Sequence, residues 1–188
     1  MTNILVVFDF DSTITEMDSD NWVLDEFGAT DMFNRLLPTM LWNPLMDRMM
    51  KELHSQGKTI DDIVEVLKRI PMHPRIVHAI KAVHALGDVI FRCDLKIVSD
   101  ANIFSIETIL KHHGVRNCFS EIAANPSYVN EEGRLRIFPF HDFLTSSHGC
   151  KLICSPNMCK GSVFESIKRR SISTEENKKN DLPRRWKQ

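Results

Sequence analysis

Residues 4–22 read ILVVFDFDSTITEMDSDNW and join a short apolar run to a crowd of acids. The run from Ile4 to Phe8 is continuous and rich in β-branched side chains, which is typical of a parallel strand buried on both faces. Five of the fifteen side chains at positions 8–22 are acidic: Asp9, Asp11, Glu16, Asp18 and Asp20. Because carboxylates repel one another, the pattern predicts a strand that ends where a metal ion or another positive group gathers.

A second apolar run has the same kind of ending. Leu95 to Val98 is followed by a small polar residue and an acid, Ser99 and Asp100. Parallel strands bring their carboxyl ends to one edge of a sheet, so the two endings predict one shared site. The alternation of strands and helical stretches along the chain favours an α/β fold with an open parallel sheet.

The stretch between these two strands is predicted to be helical. Helical spacing of apolar residues and capping signals indicate helices over 18–27, 43–56, 59–69 and 75–86, with the last ending at Gly87. We interpret them as a helical cap inserted after the first strand. Beyond Ser99 the patterns predict a helix over 102–113, a strand over 119–123, a hairpin pairing 128–129 with 135–137, and a helix over 160–169.

The predicted elements divide the chain into three parts. Residues 1–13 and 88–170 form the core, 14–87 the cap, and 171–188 a disordered tail, because the tail is densely charged and nearly lacks apolar residues. Residues 88–92 look like a short extra piece ahead of the second strand.

Composition narrows the classes of partner. With 24 basic and 25 acidic residues the formal net charge is -1, so no global electrostatic feature suggests nucleic acid or a membrane surface. No targeting segment or bilayer-length apolar stretch is evident, which predicts a cytoplasmic protein. The five cysteines are odd in number and scattered, as expected of reduced thiols rather than a disulfide framework.

Three of the cysteines lie near a histidine. A zinc site is an alternative interpretation of this cluster, since imidazole and thiolates are preferred zinc ligands. The spacing contains no Cys-x-x-Cys pair, so we favour reduced structural thiols. The cluster comprises His148, Cys150, Cys154 and Cys159.

Three motifs resemble one enzyme family. FDFDSTI (8–14) is similar to motif I of haloacid dehalogenase (HAD) superfamily phosphatases, KIVSDAN (96–102) to motif II, and CSPNMCKG (154–161) to the motif III region of one branch. That branch is the phosphoethanolamine/phosphocholine phosphatase family, with plant members that are thiamine phosphate phosphatase-like and pyrophosphatase-like. The resemblance runs from about residue 3 to about residue 168 and implies a HAD-like Rossmannoid sheet with a helical cap.

The resemblance also implies roles for individual residues. Asp9 would be the nucleophile and Asp11 the acid/base, while Asp9 and the backbone carbonyl of Asp11 would bind Mg²⁺. Ser99 would hydrogen-bond the transferring phosphoryl group, and Lys160, a cation at the start of a helix, would hold its charge.

Two further acids are implied to bind the substrate. Asp20 and Asp100 stand where family members use carboxylates to receive an amine or quaternary ammonium group. Coulomb attraction makes that role reasonable, whereas the ordinary alternative is helix capping for Asp20 and loop solvation for Asp100.

One family motif has no counterpart. A fourth strand ending in Gly-Asp-Gly, with a further Asp after it, should follow, but Asp181 has neither a strand before it nor a glycine beside it. Without this motif we expect weaker Mg²⁺ binding and an exposed edge of the sheet. The departure is typical of an alternatively spliced or mispredicted product of a phosphatase gene.

The sequence thus predicts a magnesium-dependent phosphatase of small phosphomonoesters, such as phosphocholine, phosphoethanolamine or thiamine monophosphate. It would work through an aspartyl-phosphate intermediate, with activity reduced by the missing motif. The alternative is a non-catalytic isoform that binds a phosphorylated ligand or a partner chain.

Overall fold

A computed structural model describes residues 3–89, 92–142 and 154–180. The strands are Asn3–Phe8 (β1), Arg92–Asn102 (β2), Glu121–Asn125 (β3), Ser127–Val129 (β4) and Leu135–Ile137 (β5). The α-helices are Ser19–Glu26 (α1), Thr30–Leu36 (α2), Trp42–Ser55 (α3), Ile60–Lys68 (α4), Pro74–Val89 (α5), Ile103–His112 (α6) and Lys160–Asn180 (α7). Short 3₁₀ turns occupy Leu37–Thr39 and Arg116–Cys118.

The three longer strands form a parallel sheet in the order β1-β2-β3. Phe8 is in register with Ile97, and Ile97 with Ile122, so the carboxyl ends of the strands lie side by side. The second strand continues past the register shift that follows Val98. This arrangement brings the residues after Phe8 next to Ser99 and Asp100, as the two similar strand endings predict.

Alternation along the strands sends side chains to two apolar layers. Leu95 and Ile97 enter the larger core, to which α5 and α6 contribute buried side chains. Val98, with Leu5 and Val7 of β1, packs instead against the apolar side of α7. The sheet is therefore covered by helices on both faces, which is why its strands are apolar at consecutive positions.

The helices between β1 and β2 share the larger core with the sheet. The third helix buries one stripe of side chains, Leu45, Met46, Met49, Met50 and Leu53. It packs against β5, while α4 packs against α6 and α5 lies against β2. The predicted boundary of the cap at 14–87 remains a prediction, because one continuous cluster of apolar side chains joins these helices to the strands.

Most predicted elements are present with small shifts at their ends. The predicted capping signal at Thr59 is a capping box, in which Thr59 and Asp62 bond each other's backbone N–H groups. The helix after the second strand ends where predicted, with Gly114 in the left-handed conformation that glycine favours. The parallel third strand and the 128–137 hairpin are also present.

The structure corrects two expectations and adds one helix. The fifth helix passes through Gly87 to Val89, so residues 88 and 89 of the expected extra piece complete a helix. Arg92 begins β2, and residues 90 and 91 lie outside the described residues. The seventh helix continues to Asn180, so residues 171–180 of the tail expected at 171–188 are helical, while 181–188 lie outside the described residues. Helix α2 was not predicted, since its seven residues are too few to show a helical period.

Within the described ranges, β1 has a strand neighbour on one side only, and the Ile4 side chain near its start is 41% exposed.

No helix among the described residues is both long enough and apolar enough to cross a lipid bilayer.

Two substitutions, one within α3 and one just before it, test the shared core. Leu45 is 0% exposed and Leu41, just before the helix, is 49% exposed. We expect Leu45→Ala to lower the free energy of unfolding by about 2–5 kcal/mol, because it leaves a cavity in the common core. Leu41→Ala should change it by less than about 0.5 kcal/mol. Urea titration followed by circular dichroism measures both, and equal small effects would show that α3 does not pack as described.

Candidate active site

A tight turn at the end of β1 presents the first acids of the site. The backbone N–H groups of Thr13, Ile14 and Thr15 all point at the carbonyl oxygen of Phe10, at 2.8–3.2 Å. Phe10 and Ile14 are buried and anchor the turn in the core. Ser12 has a φ of 55°, an uncommon conformation for a residue with a side chain, and such local strain concentrates at functional sites.

Lys160 supplies the positive charge that the crowded acids require. Its Nζ lies 2.8 Å from Oδ2 of Asp9 and 2.8 Å from Oδ1 of Asp100. Burial acts to lower the pKa of Lys160, but its hydrogen bonds and attraction to Asp100 and Asp9 outweigh burial and raise that pKa. One ammonium group therefore connects the ends of β1 and β2 to the first residue of α7.

Asp9 and Asp100 remain accessible while they hold Lys160. The side chain of Asp9 is 41% exposed and that of Asp100 is 48% exposed. The other carboxylate oxygen of Asp9 accepts the N–H of Phe10 at 2.8 Å, which fixes the orientation of the group. A ligand in solution can thus reach both carboxylates and the ammonium group between them.

Asp11 occupies a different electrostatic environment. Its Oδ1 accepts the backbone N–H of Ser19 at 3.0 Å, across the turn. Burial, followed by repulsion from Asp18 and Asp20, raises the pKa of Asp11 to about 8. In the absence of a bound cation the Asp11 carboxyl group is therefore mostly protonated at neutral pH.

Asp20 is buried in a hydrogen-bonded node. Its Oδ1 accepts the side-chain amide of Asn102 at 2.8 Å, and its Oδ2 accepts the indole N–H of Trp42 at 3.1 Å. Burial and then repulsion from Asp18 raise its pKa to about 7, with Asp100 adding to the shift. The helix-capping alternative belongs to Asp18, whose side chain accepts the N–H of Asn21, and not to Asp20.

Ser99 lies in β2, directly before Asp100, and is fully buried. Its Oγ accepts the N–H of Ala101 at 3.2 Å. The buried side chain of Asn125 holds the same segment, because it donates to the carbonyl oxygen of Asp100 and accepts the N–H of Phe140. Asn125 thus ties the turn after Val98 to the third strand.

Three side chains that organise the site were not predicted from the sequence. Trp42 and Asn102 bind Asp20, and Asn125 supports the backbone of Asp100. Asn102 also caps α6 by accepting the N–H of Ser105, and an Asn directly before a helix is a recognisable signal. Trp42 and Asn125 carry no such signal, since their partners are far away in the sequence.

The structure describes half of the alternative zinc cluster. The sulfur atoms of Cys154 and Cys159 lie 3.6 Å apart. His148 and Cys150 lie outside the described residues. Among the residues that are described, no three His, Cys, Asp or Glu side chains converge in a way that would hold a metal ion.

The parallel sheet and its helices correspond to the HAD-like fold of several solved structures. A HAD family hydrolase from Salmonella enterica aligns with a TM-score of 0.55 and 16% identity, over 72% of this chain and 44% of that one. A substrate-bound phosphoserine phosphatase aligns with a TM-score of 0.51 and 18% identity, over 72% of this chain and 61% of that one. The fold is thus the α/β fold of HAD-like hydrolases.

Sequence similarity shows the family. The family described as Putative Phosphatase matches residues 4–182, and the chain belongs to it. An Arabidopsis thaliana protein named thiamine phosphate phosphatase-like is 47% identical over 186 residues, which cover 99% of this chain and 71% of that protein. The resemblance recognised in the three motifs is therefore confirmed.

Other relatives carry different names. Inorganic pyrophosphatase 2 of Arabidopsis thaliana is 61% identical over 165 residues, which cover 88% of this chain and 57% of that protein. The human phosphoethanolamine/phosphocholine phosphatase is 30% identical over 168 residues, covering 88% of this chain and 60% of that protein. The chain thus spans little more than half the length of these relatives.

The environment of Asp20 predicts a measurable dependence of stability on pH. A folded-state pKa of about 7, against 3.8 for an unperturbed Asp, means that the folded chain binds the proton more tightly than the unfolded chain. The stabilisation from this proton is complete below pH 4 and is lost as the pH rises through about 7. Asp11, Asp18 and Asp100 are the acids that face or neighbour Asp20.

We therefore compare the wild type with Asp20→Asn, which cannot titrate. Relative to Asp20→Asn, the free energy of unfolding of the wild type should fall by up to about 1.4 kcal/mol for each pH unit between pH 4 and 7. Above pH 7 the difference should stay constant. Urea titrations at half-unit pH steps measure this difference. Curves that stay parallel across the range would contradict the described environment of Asp20.

Proposed function

We propose that this chain carries a phosphatase site that hydrolyses small phosphomonoesters through an aspartyl-phosphate on Asp9. The observation that supports it most directly is the contact between Asp9 and Lys160, 2.8 Å apart at the ends of the strands. A partly exposed carboxylate beside a fixed ammonium group combines a nucleophile with a charge that attracts phosphate oxygens. Membership of the phosphatase family supports the same chemistry.

The proposed reaction has two displacements at phosphorus. In the first, an oxygen of Asp9 forms a bond to phosphorus, the bond to the ester oxygen breaks, and Asp11 gives its proton to that oxygen. In the second, Asp11 takes a proton from a water molecule that attacks the phosphorus and releases phosphate from Asp9. Lys160 stabilises the charge on the transferring oxygens. Ser99 is 0% exposed, so it would support the phosphoryl site by holding the N–H of Ala101 rather than by direct contact.

Mg²⁺ fits the donor atoms of this site. The Asp9 carboxylate and the Asp11 carbonyl are hard oxygen ligands, and Mg²⁺ in proteins commonly takes one or two carboxylates and completes its shell with water and substrate phosphate. Burial, followed by repulsion from Asp18 and Asp20, raises the pKa of Asp11, and a cation bound nearby would offset that repulsion. When bound, Mg²⁺ would neutralise phosphate charge and so reduce its repulsion with Asp9.

Asp20 and Asp100 are our candidates for recognising the rest of the substrate. Asp100 is the more accessible of the two, so it would contact an ammonium or thiazolium group directly. Asp20 is only 5% exposed and would act through the local field rather than by contact. Phosphocholine, phosphoethanolamine and thiamine monophosphate all carry a cationic group, whereas pyrophosphate does not.

A cytoplasmic location is part of the same proposal. Cys93 and Cys118 carry free thiols. Reduced thiols are typical of proteins from reducing compartments.

Exchange of the nucleophile tests the proposed reaction. Asp9→Asn should lower kcat by on the order of 10³-fold or more, because the amide is a poor nucleophile for phosphorus. Asp94→Asn is the matched control, since Asp94 lies toward the opposite end of β2 and is paired with Lys96. Phosphate release from the three cationic esters and from pyrophosphate is measured with Mg²⁺ and after chelation with EDTA.

The outcomes separate the parts of the proposal. Loss of turnover in Asp9→Asn but not in Asp94→Asn supports Asp9 as the nucleophile, and hydrolysis at the wild-type rate by Asp9→Asn would refute it. Turnover that persists fully in EDTA would exclude a need for Mg²⁺. A preference for pyrophosphate over the cationic esters would overturn the roles given to Asp20 and Asp100.

A further inference from the structure

One buried asparagine side chain holds the main chain at Asp100. The register of β2 against β3 shifts between Val98 and Asn102, so the regular ladder is interrupted around Asp100. The carbonyl oxygen of Asp100 accepts a hydrogen bond from the side-chain amide of Asn125 within this interruption. Irregularities of this kind redirect side chains next to active sites. The direction of the Asp100 side chain therefore depends on how this segment of main chain is held.

The amide of Asn125 is bound on its other side as well. Its Oδ1 accepts the backbone N–H of Phe140 at 3.0 Å, and the residue is only 1% exposed. A carboxamide that donates on one side and accepts on the other cannot rotate without losing both bonds. The orientation of Asn125 is thus fixed, and the carbonyl group of Asp100 is fixed with it.

The residues that Asn125 holds also contact the segment that leads to Lys160. The N–H of His141, the residue after Phe140, donates to the carbonyl oxygen of Asn157 at 2.8 Å. Asn157 lies shortly before Lys160 in the sequence. Residues 140–141 are therefore tied to both sides of the ion pair that Lys160 forms with Asp100.

From these contacts we infer that Asn125 is a positioning residue that aims the Asp100 carboxylate at the cationic group of the substrate. The inference rests on the proposed function, in which Asp100 contacts that group. Because Asn125 is buried, it would act through the main chain of Asp100 and not by touching the substrate.

The exposure of Asp100 explains why its main chain must be held. The Asp100 side chain is 48% exposed, so packing alone restricts it little. Coulomb attraction weakens with distance and with screening by solvent. A carboxylate that samples several directions would therefore attract a bound cation less strongly than one held at contact distance.

Two esters with the same phosphoryl group separate this role from a general loss of structure. One is phosphocholine, and the other is its neutral isostere, in which a carbon atom replaces the quaternary nitrogen. A disturbance of Asp9 or Lys160 affects both esters alike and cancels in the ratio of their kcat/KM values. A misdirected Asp100 lowers that ratio. We expect the wild type to prefer phosphocholine by on the order of tenfold.

Substitution of Asn125 should remove this preference. We expect Asn125→Ala to reduce it to about twofold or less, and Asp100→Asn to do the same. The double variant should show no further loss, because both changes act on one carboxylate. Asn130→Ala is the matched control, since Asn130 likewise accepts a backbone N–H, that of Arg134, but in the turn of the hairpin. It should keep the wild-type preference.

Binding without turnover distinguishes this inference from the proposed function. Calorimetry gives the dissociation constants of both esters for Asp9→Asn and for Asp9→Asn combined with Asn125→Ala. A wild type with no turnover on either ester would overturn the proposed function, whereas a binding preference that is lost with Asn125 would still support the inference. Equal binding of the two esters to Asp9→Asn, or binding of neither, would refute the inference.

Far-UV circular dichroism checks that each variant folds. If Asn125→Ala does not fold, Asn125→Ser takes its place, because a serine hydroxyl group is too short to bond both partners of the amide. A folded variant that keeps the wild-type preference for phosphocholine shows that Asn125 does not position Asp100. If neither variant folds, Asn125 serves the fold as a whole, and the inference is wrong.

Discussion

One lysine makes the crowding of acids at the strand ends possible. Asp9 and Asp100 end neighbouring parallel strands, and their charges would repel if nothing stood between them. The ammonium group of Lys160 contacts both, with an attraction on the order of 1 kcal/mol for each pair after screening by the solvent around these half-exposed groups. The position of that ammonium group depends on apolar packing, because Val163 and Ile167 hold α7 against Val98 and the neighbouring side chains of β1.

The remaining acids are accommodated by a different physical means. Asp11, Asp18 and Asp20 are shielded from water, and burial raises the pKa of each. Asp20 keeps its place through hydrogen bonds from Trp42 and Asn102, which join α1, α3 and the end of β2. The site therefore has one region where a lysine balances charge and another where protons or a bound cation must do so.

Much of the fold could be predicted because its signals are local. The apolar run ending at Phe8, the second run ending at Val98 and the capping box at Thr59 each follow from neighbouring residues. Helix α2 and the continuation of α7 over 171–180 were not predicted, because neither has a clear local signal. Helix α2 is too short to show a helical period. Residues 171–180 are densely charged, a pattern typical of disordered chain, but they continue the helix that begins at Lys160.

The acidic residues of the candidate site could be predicted from the sequence, but the side chains that contact them could not. Asp9, Asp11 and Asp100 stand out because acids rarely follow buried strands, and Lys160 was identified through the family motif around it. The difference between Asp20 and Asp100 could not be read from the sequence, since it arises from contacts with residues far along the chain. Long-range side-chain contacts of this kind appear only once the helices have packed on the sheet.

The central claim is that Asp9 becomes phosphorylated during turnover. Acid quenching of the reaction within the first turnovers, followed by peptide mapping, locates any covalent phosphoryl group. The account predicts one added phosphoryl mass on the peptide that contains Asp9, labile to hydroxylamine as an acyl phosphate is. Active turnover with no such adduct, or with the phosphoryl group on a serine or histidine, would contradict it.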